Sequence, residues 1–153
     1  MQSRIYHTYS INIVLAVVLL FIMGGCSGTD TNTGTDISKG EAEQTMEDFF
    51  RALSTADTTL IQQITTDDFI LYEHDAIWNR DSLLSLMSAT KGRNWEIQDP
   101  VVKAEGNLAH IYYYNVSRKP EGRSWLESAL LINQKDTVRL AFMHSTKLYL
   151  NEQ

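Results

Sequence analysis

Glu127 and His144 are the residues whose types and placement come closest to proton chemistry in this chain. The run 123–133 reads as a strand, and the two-residue period of a strand puts Glu127 on one face with Trp125, Ala129 and Leu131. A carboxyl in that company is either paired or functional, because an unpaired charge is expensive to bury. The next run, 138–150, sets His144 beside Val138, Leu140, Phe142 and Thr146, a largely apolar face expected to be the core side. Burial there lowers the pKa of an imidazole and leaves the neutral ring in need of a partner. Residues on consecutive strands become cross-strand neighbours, and a Glu–His couple can hold a proton near neutral pH. A buried hydrogen-bonded pair with no substrate satisfies the same pattern and is the favoured reading, since structural networks perturb titration as readily as active sites do. An alternative facing stays open. Leu126, Leu130 and Ile132 make the other face of the strand apolar too, and if that face meets the core, Glu127 points to a dimer interface or to water.

Other constellations are weaker. Tyr72-Glu73-His74-Asp75 gathers polar groups at a strand end, but alternation sends Tyr72 and His74 one way and Glu73 the other. No ligand spacing for a metal occurs, so no metal site is expected, and no cofactor either. Trp78, Trp95 and Trp125 most simply fill core or interface; a stacking platform for a ring compound is the second use. The single cysteine, Cys26, rules out an internal disulfide. A formal net charge of −6 gives no basic footprint, so nucleic acid is not an expected partner.

The elements that position these residues follow from caps and periods. Ser38 and Glu41 have capping-box spacing ahead of Ala42, Met46, Phe49, Phe50 and Leu53, which predicts a helix over about 41–56. Asp57 or Thr58 caps a short second helix carrying Leu60, Ile61 and Ile64, and a brief strand follows at 69–73. Asn79 or Asp81 caps a third helix with Leu83, Leu84, Leu86 and Met87, stopped near Lys91-Gly92. From Trp95 onward the period is two, interrupted by Pro100 at an edge or a bulge, and turn residues at 105–107, 119–122 and 134–137 divide the remainder into four strands. Helical and strand runs are segregated along the chain, so the expected class is α+β: three N-terminal helices on a curved, mostly antiparallel sheet, in the order α-α-β-α-β-β-β-β.

The address is written at the N-terminus. Arg4 precedes the apolar run 11–23, too short to span a bilayer comfortably but suited to a secretory h-region. Met23-Gly24-Gly25-Cys26 resembles a lipoprotein signal, which implies cleavage before Cys26 and lipidation of its thiol. Residues 1–25 are then a signal peptide, 26–36 a lipidated cysteine with a flexible polar tether, and 37–153 one domain. Several acyl chains at about 0.8 kcal/mol per buried CH₂ make the membrane a permanent partner. Ser27 after the cysteine resembles residues that permit delivery to the outer membrane, so the expected location is its periplasmic side.

The element order, with Asp67-Asp68-Phe69 leading the first strand and His144-Ser145-Thr146 near the end of the last, resembles the nuclear transport factor 2-like superfamily over 37–149. Within it the chain looks closest to the small bacterial branch related to ketosteroid isomerase and polyketide cyclase-like (SnoaL-like) folds. The resemblance implies a cone whose sheet and helices enclose a pocket, and a tendency to form homodimers. Tyr72, His74, Trp78, Trp95, Tyr113, Phe142 and Thr146 are the expected pocket-lining residues, with Glu127 and His144 as the candidate acid and base. The favoured function is binding of a small apolar or mixed ligand in the cone. A dimeric assembly protein without ligand comes second, and an isomerase, dehydratase or cyclase using Glu127 and His144 third, because the Asp and paired Tyr pattern of ketosteroid isomerase is not found in recognisable places.

Overall fold

The computed structural model of the protein describes residues 36–117 and 124–148, all within the unit Thr33–Gln153. The proposed signal peptide, Cys26 and nearly all of the tether lie outside the described residues.

Helix α1, Lys39–Thr55, starts where its capping box dictates. The Ser38 backbone N–H donates to Glu41 Oε2 at 2.9 Å, and the Glu41 N–H donates to Ser38 Oγ at 3.2 Å, which satisfies two otherwise orphaned donors. Ala56, in the left-handed conformation, ends it. Asp57 caps α2, Thr58–Ile64, by accepting from the Leu60 N–H at 2.9 Å. Strand β1, Thr65–Glu73, turns through His74 at φ 54° into a short strand β2, Ala76–Asn79. Asn79 then caps α3, Arg80–Thr90. Strands β3, Trp95–Glu105, β4, Leu108–Ser117, β5, Ser124–Gln134, and β6, Thr137–Leu148, complete the domain.

The strands form one mixed sheet in the order β2-β1-β6-β5-β4-β3, with β1 and β6 parallel and every other pair antiparallel. Helices packed on a curved sheet give the expected α+β class, with β2 as an added strand. Edge strand β3 carries its irregularity between Gln98 and Val101, where Asp99 has φ 52° and Pro100 has no N–H to give a ladder. The core lies between α1, α2 and the inner sheet face, where Met46, Phe49, Ile61, Ile111, Leu131 and Leu140 are each at most 1 % exposed.

One expected facing is corrected. Leu131 pairs with Leu140, but Leu130 pairs with Phe142, so β6 holds one extra residue at Ala141. Such a bulge breaks the two-residue period and sends the following side chains to opposite faces from those simple alternation gives. Leu140 is buried, and beyond the bulge it is Met143 and Ser145 that face the core. Phe142, His144 and Thr146 lie on the outer face, with His144 and Thr146 exposed.

Candidate functional site

The strand registers line up polar residues across the inner face. Tyr113 on β4 pairs with Glu127 on β5, Glu127 with Ser145 on β6, and Ser145 with Glu73 on β1. Glu127 is 4 % exposed, Ser145 4 % and Tyr113 1 %. Asn115, two residues along β4 and equally buried, donates from Nδ2 to both oxygens of Glu127 at 3.2 Å. The Ser145 hydroxyl donates to Glu127 Oε1 at 3.0 Å. The Tyr113 hydroxyl sits close enough to depress the titration of the carboxyl, although its geometry falls short of a regular hydrogen bond.

Burial dominates the electrostatics. It pushes Glu127 from an ordinary 4.5 up to about 7, against the opposing pull of the polar groups of Asn115, Tyr113 and Ser145, while the charge of Glu73 pushes the same way as burial. Burial and the neighbouring carboxylate hold the Tyr113 hydroxyl well above its ordinary range. Near neutral pH the network can therefore hold or release one proton at Glu127.

Next to this network is a cavity of about 230 Å³ between α1, α3 and the inner face of the sheet. Phe49, Phe50 and Leu53 wall it from α1, Leu83, Leu86 and Ala89 from α3, and Leu71 and Met143 from the sheet. Trp78, Trp95 and Trp125, the only tryptophans of the chain, all line it. Phe50 packs on Trp95 with ring centroids 5.7 Å apart and meets Tyr113 edge-on at 6.2 Å. The polar lining consists of Ser145, Glu73, Thr90 and the exposed Arg93. Glu127 is set behind the wall and reaches it through Ser145. The ring N–H groups of Trp78 and Trp125 are buried and find no hydrogen-bond partner among the described residues.

The expected site residues are thus divided. Trp78 and Trp95 line the cavity, and Tyr113 is buried beside Glu127 just behind it. Tyr72, Phe142, His144 and Thr146 are on the outer face, where Tyr72 meets Phe142 edge-on at 5.3 Å, and His74 is exposed in the β1–β2 turn. The Glu127–His144 couple is not formed: the bulge at Ala141 puts Ser145, not His144, opposite Glu127. His144 pairs instead with Ser128 and Tyr72. Asn115 and Ser145 are the partners of Glu127 that the sequence did not announce. Alternation from Tyr113 would have found Asn115; Ser145 was hidden by the bulge. Among the described residues no three His, Cys, Asp or Glu side chains gather as a metal site, and no helix is long and apolar enough to cross a membrane.

No family model matches the sequence, and no curated protein does. Solved structures do match by shape. An NTF2-like protein from Cytophaga hutchinsonii superposes with a TM-score of 0.65 at 7 % identity, covering 73 % of this chain and 100 % of its own. A Shewanella frigidimarina protein provisionally assigned as a ketosteroid isomerase gives 0.60 at 17 % identity over 78 % of this chain and 98 % of its own. The CaMKII hub of S. rosetta gives 0.63 at 11 % identity, over 71 % and 95 %. At these identities the likeness establishes shape: the domain has the nuclear transport factor 2-like fold.

Proposed function

We propose that this protein is a lipid-anchored envelope protein whose domain binds a small apolar or mixed molecule in the cavity between its helices and the inner sheet face. The observation that carries this reading is the cavity itself. An apolar, aromatic-rich wall with a few convergent polar groups and a perturbed carboxyl just behind it is the usual composition of a ligand site. Its volume is below the roughly 300 Å³ at which ligand pockets commonly begin, which favours a compact ligand. A panel of single-ring and sugar probes tests this by thermal midpoint, since any molecule that binds the native state alone must raise it. The emission of the three cavity tryptophans reports in the same sample whether the binder is local. A raised midpoint with altered emission is expected; flat midpoints across the panel refute it.

The anchor rests on residues 11–26: cells fed labelled palmitate are expected to label the unaltered protein and not a Cys26→Ser variant, and an unaltered protein that takes up no label would refute lipidation. A second reading, self-association, has its own support. The outer sheet face carries Tyr72, Tyr114, Leu126 and Leu130 at 44 %, 46 %, 44 % and 38 % exposure, large apolar side chains of the kind that mark protein contacts when they share a face. Pairing of two copies through this face is compatible with a ligand in the cone, because the cavity opens on the other side of the sheet.

A further inference from the structure

The buried network and the cavity meet at one hydroxyl. Ser145 lines the cavity and donates its only proton to Glu127 Oε1 at 3.0 Å, so with Glu127 ionised what remains to face a ligand is the acceptor side of its oxygen. Its neighbour across the sheet, Glu73, also lines the cavity and, when ionised, is acceptor-only. Thr90 adds no free donor, because its hydroxyl bonds the carbonyls of Leu53 and Met87 at 2.8 Å each. On the donor side are the indole N–H groups of Trp78 and Trp125, buried and without a partner, with Arg93 exposed on the loop after α3. Trp125 is on β5 two residues from Glu127, which makes it a diagonal neighbour of Ser145, and both line the cavity.

A group that satisfies both sides at once must donate and accept, and the smallest does so through one atom. A hydroxyl does this; an ether, a ketone or a methyl does not. We propose that the cavity selects a compact hydroxylated ring, a phenol or a cyclic alcohol, with Ser145 accepting from the ligand O–H and the Trp125 indole N–H donating to the ligand oxygen. This rests on the ligand-binding reading above and assigns its specificity. Glu127 acts as a positioning residue: by taking the serine proton it fixes which way the Ser145 hydroxyl points. Asn115, bonded to both carboxyl oxygens, fixes Glu127 in turn. The volume of about 230 Å³ limits the ligand to a small ring and disfavours a polycyclic one.

The test compares p-cresol with p-xylene, which has nearly the same shape and a methyl in place of the hydroxyl, by calorimetric or fluorescence titration of the full chain at about pH 8.5, where Glu127 is ionised and the phenol is not. Without a partner in the cavity the hydroxyl would make p-cresol the weaker ligand, because burying it unpaired is unfavourable. The expected result is p-cresol tighter by at least about tenfold, the effect of about 1.4 kcal/mol. In Ser145→Ala that preference falls to about twofold or less while p-xylene still binds, and in Ser145→Thr, which keeps the hydroxyl, it returns. Binding of p-xylene to the unaltered protein as tightly as p-cresol overturns the proposal and leaves the ligand-binding reading standing, as does a preference that survives in Ser145→Ala. Binding of neither probe overturns the proposal, while the ligand-binding reading is decided by the wider panel of single-ring and sugar probes. The comparison within the unaltered protein decides even if a variant fails to fold.

Discussion

Replacing Glu127 with Gln removes one proton site from the centre of the inner sheet face, and the consequence for stability can be worked from its environment. The carboxyl ionises near 4.5 in the unfolded chain and near about 7 in the fold, because burial there outweighs its hydrogen bonds. Below 4.5 both states hold the proton, and the contribution of Glu127 to stability is fully present. As pH rises between the two values the unfolded chain has released its proton while the fold still binds one, so stability falls at about 1.4 kcal/mol per pH unit. Above about 7 the loss is complete and amounts to about 3 kcal/mol. Glutamine keeps the shape and does not titrate. The assay is urea unfolding of both proteins at a series of pH values from about 4 to about 8.5, analysed as the difference in unfolding free energy, which cancels the groups common to both. The stability of the unaltered protein relative to Glu127→Gln is expected to fall by about 3 kcal/mol across that range and then level off. A difference that is flat, or that rises with pH, would refute the argument that burial dominates at this site.

Two further outcomes test other parts of the structure. Leu140→Ala, at a fully buried site, is expected to cost about 2–5 kcal/mol of unfolding free energy, while exposed His144→Ala stays within about 0.5 kcal/mol. Equal costs in urea titrations would contradict the bulge at Ala141. Tyr114 and Leu126 are directly opposed on the outer face, so Tyr114→Glu with Leu126→Lys places a favourable charge pair there and removes apolar surface. Light scattering is expected to show a dimer converted to a folded monomer; an unaltered protein that is already monomeric overturns self-association.

Much of the fold was legible because local chemistry dictates it. Ser38, Asp57 and Asn79 announce helix starts by side-chain oxygens that reach backbone N–H groups, and each does so in the structure. Pro100 announced an irregular edge strand for an equally local reason. Strand β2 has only four residues after a two-residue turn, too few to establish a period. The facing of β6 was hidden because Leu140-Ala141-Phe142-Met143 are apolar without interruption, so nothing in the sequence says where alternation breaks. That one extra residue decided the site. It moved His144 to the outer face and brought Ser145 to Glu127, whereas Glu127 itself followed the two-residue period with Trp125 and Ala129. The parallel pairing of β1 with β6 joins segments about seventy residues apart, beyond the reach of any local pattern.

The most direct test of a ligand site in this cavity uses the indole signals of Trp78, Trp95 and Trp125, all three of which line it. In a proton–nitrogen correlation spectrum each gives a separate side-chain peak, and p-cresol is titrated in. Saturable shifts of these peaks, largest for Trp125, with the backbone signals of Tyr114 and Leu126 on the outer face unmoved, are the expected result. Indole peaks that stay fixed, or that move only in proportion to changes on the outer face, would contradict it.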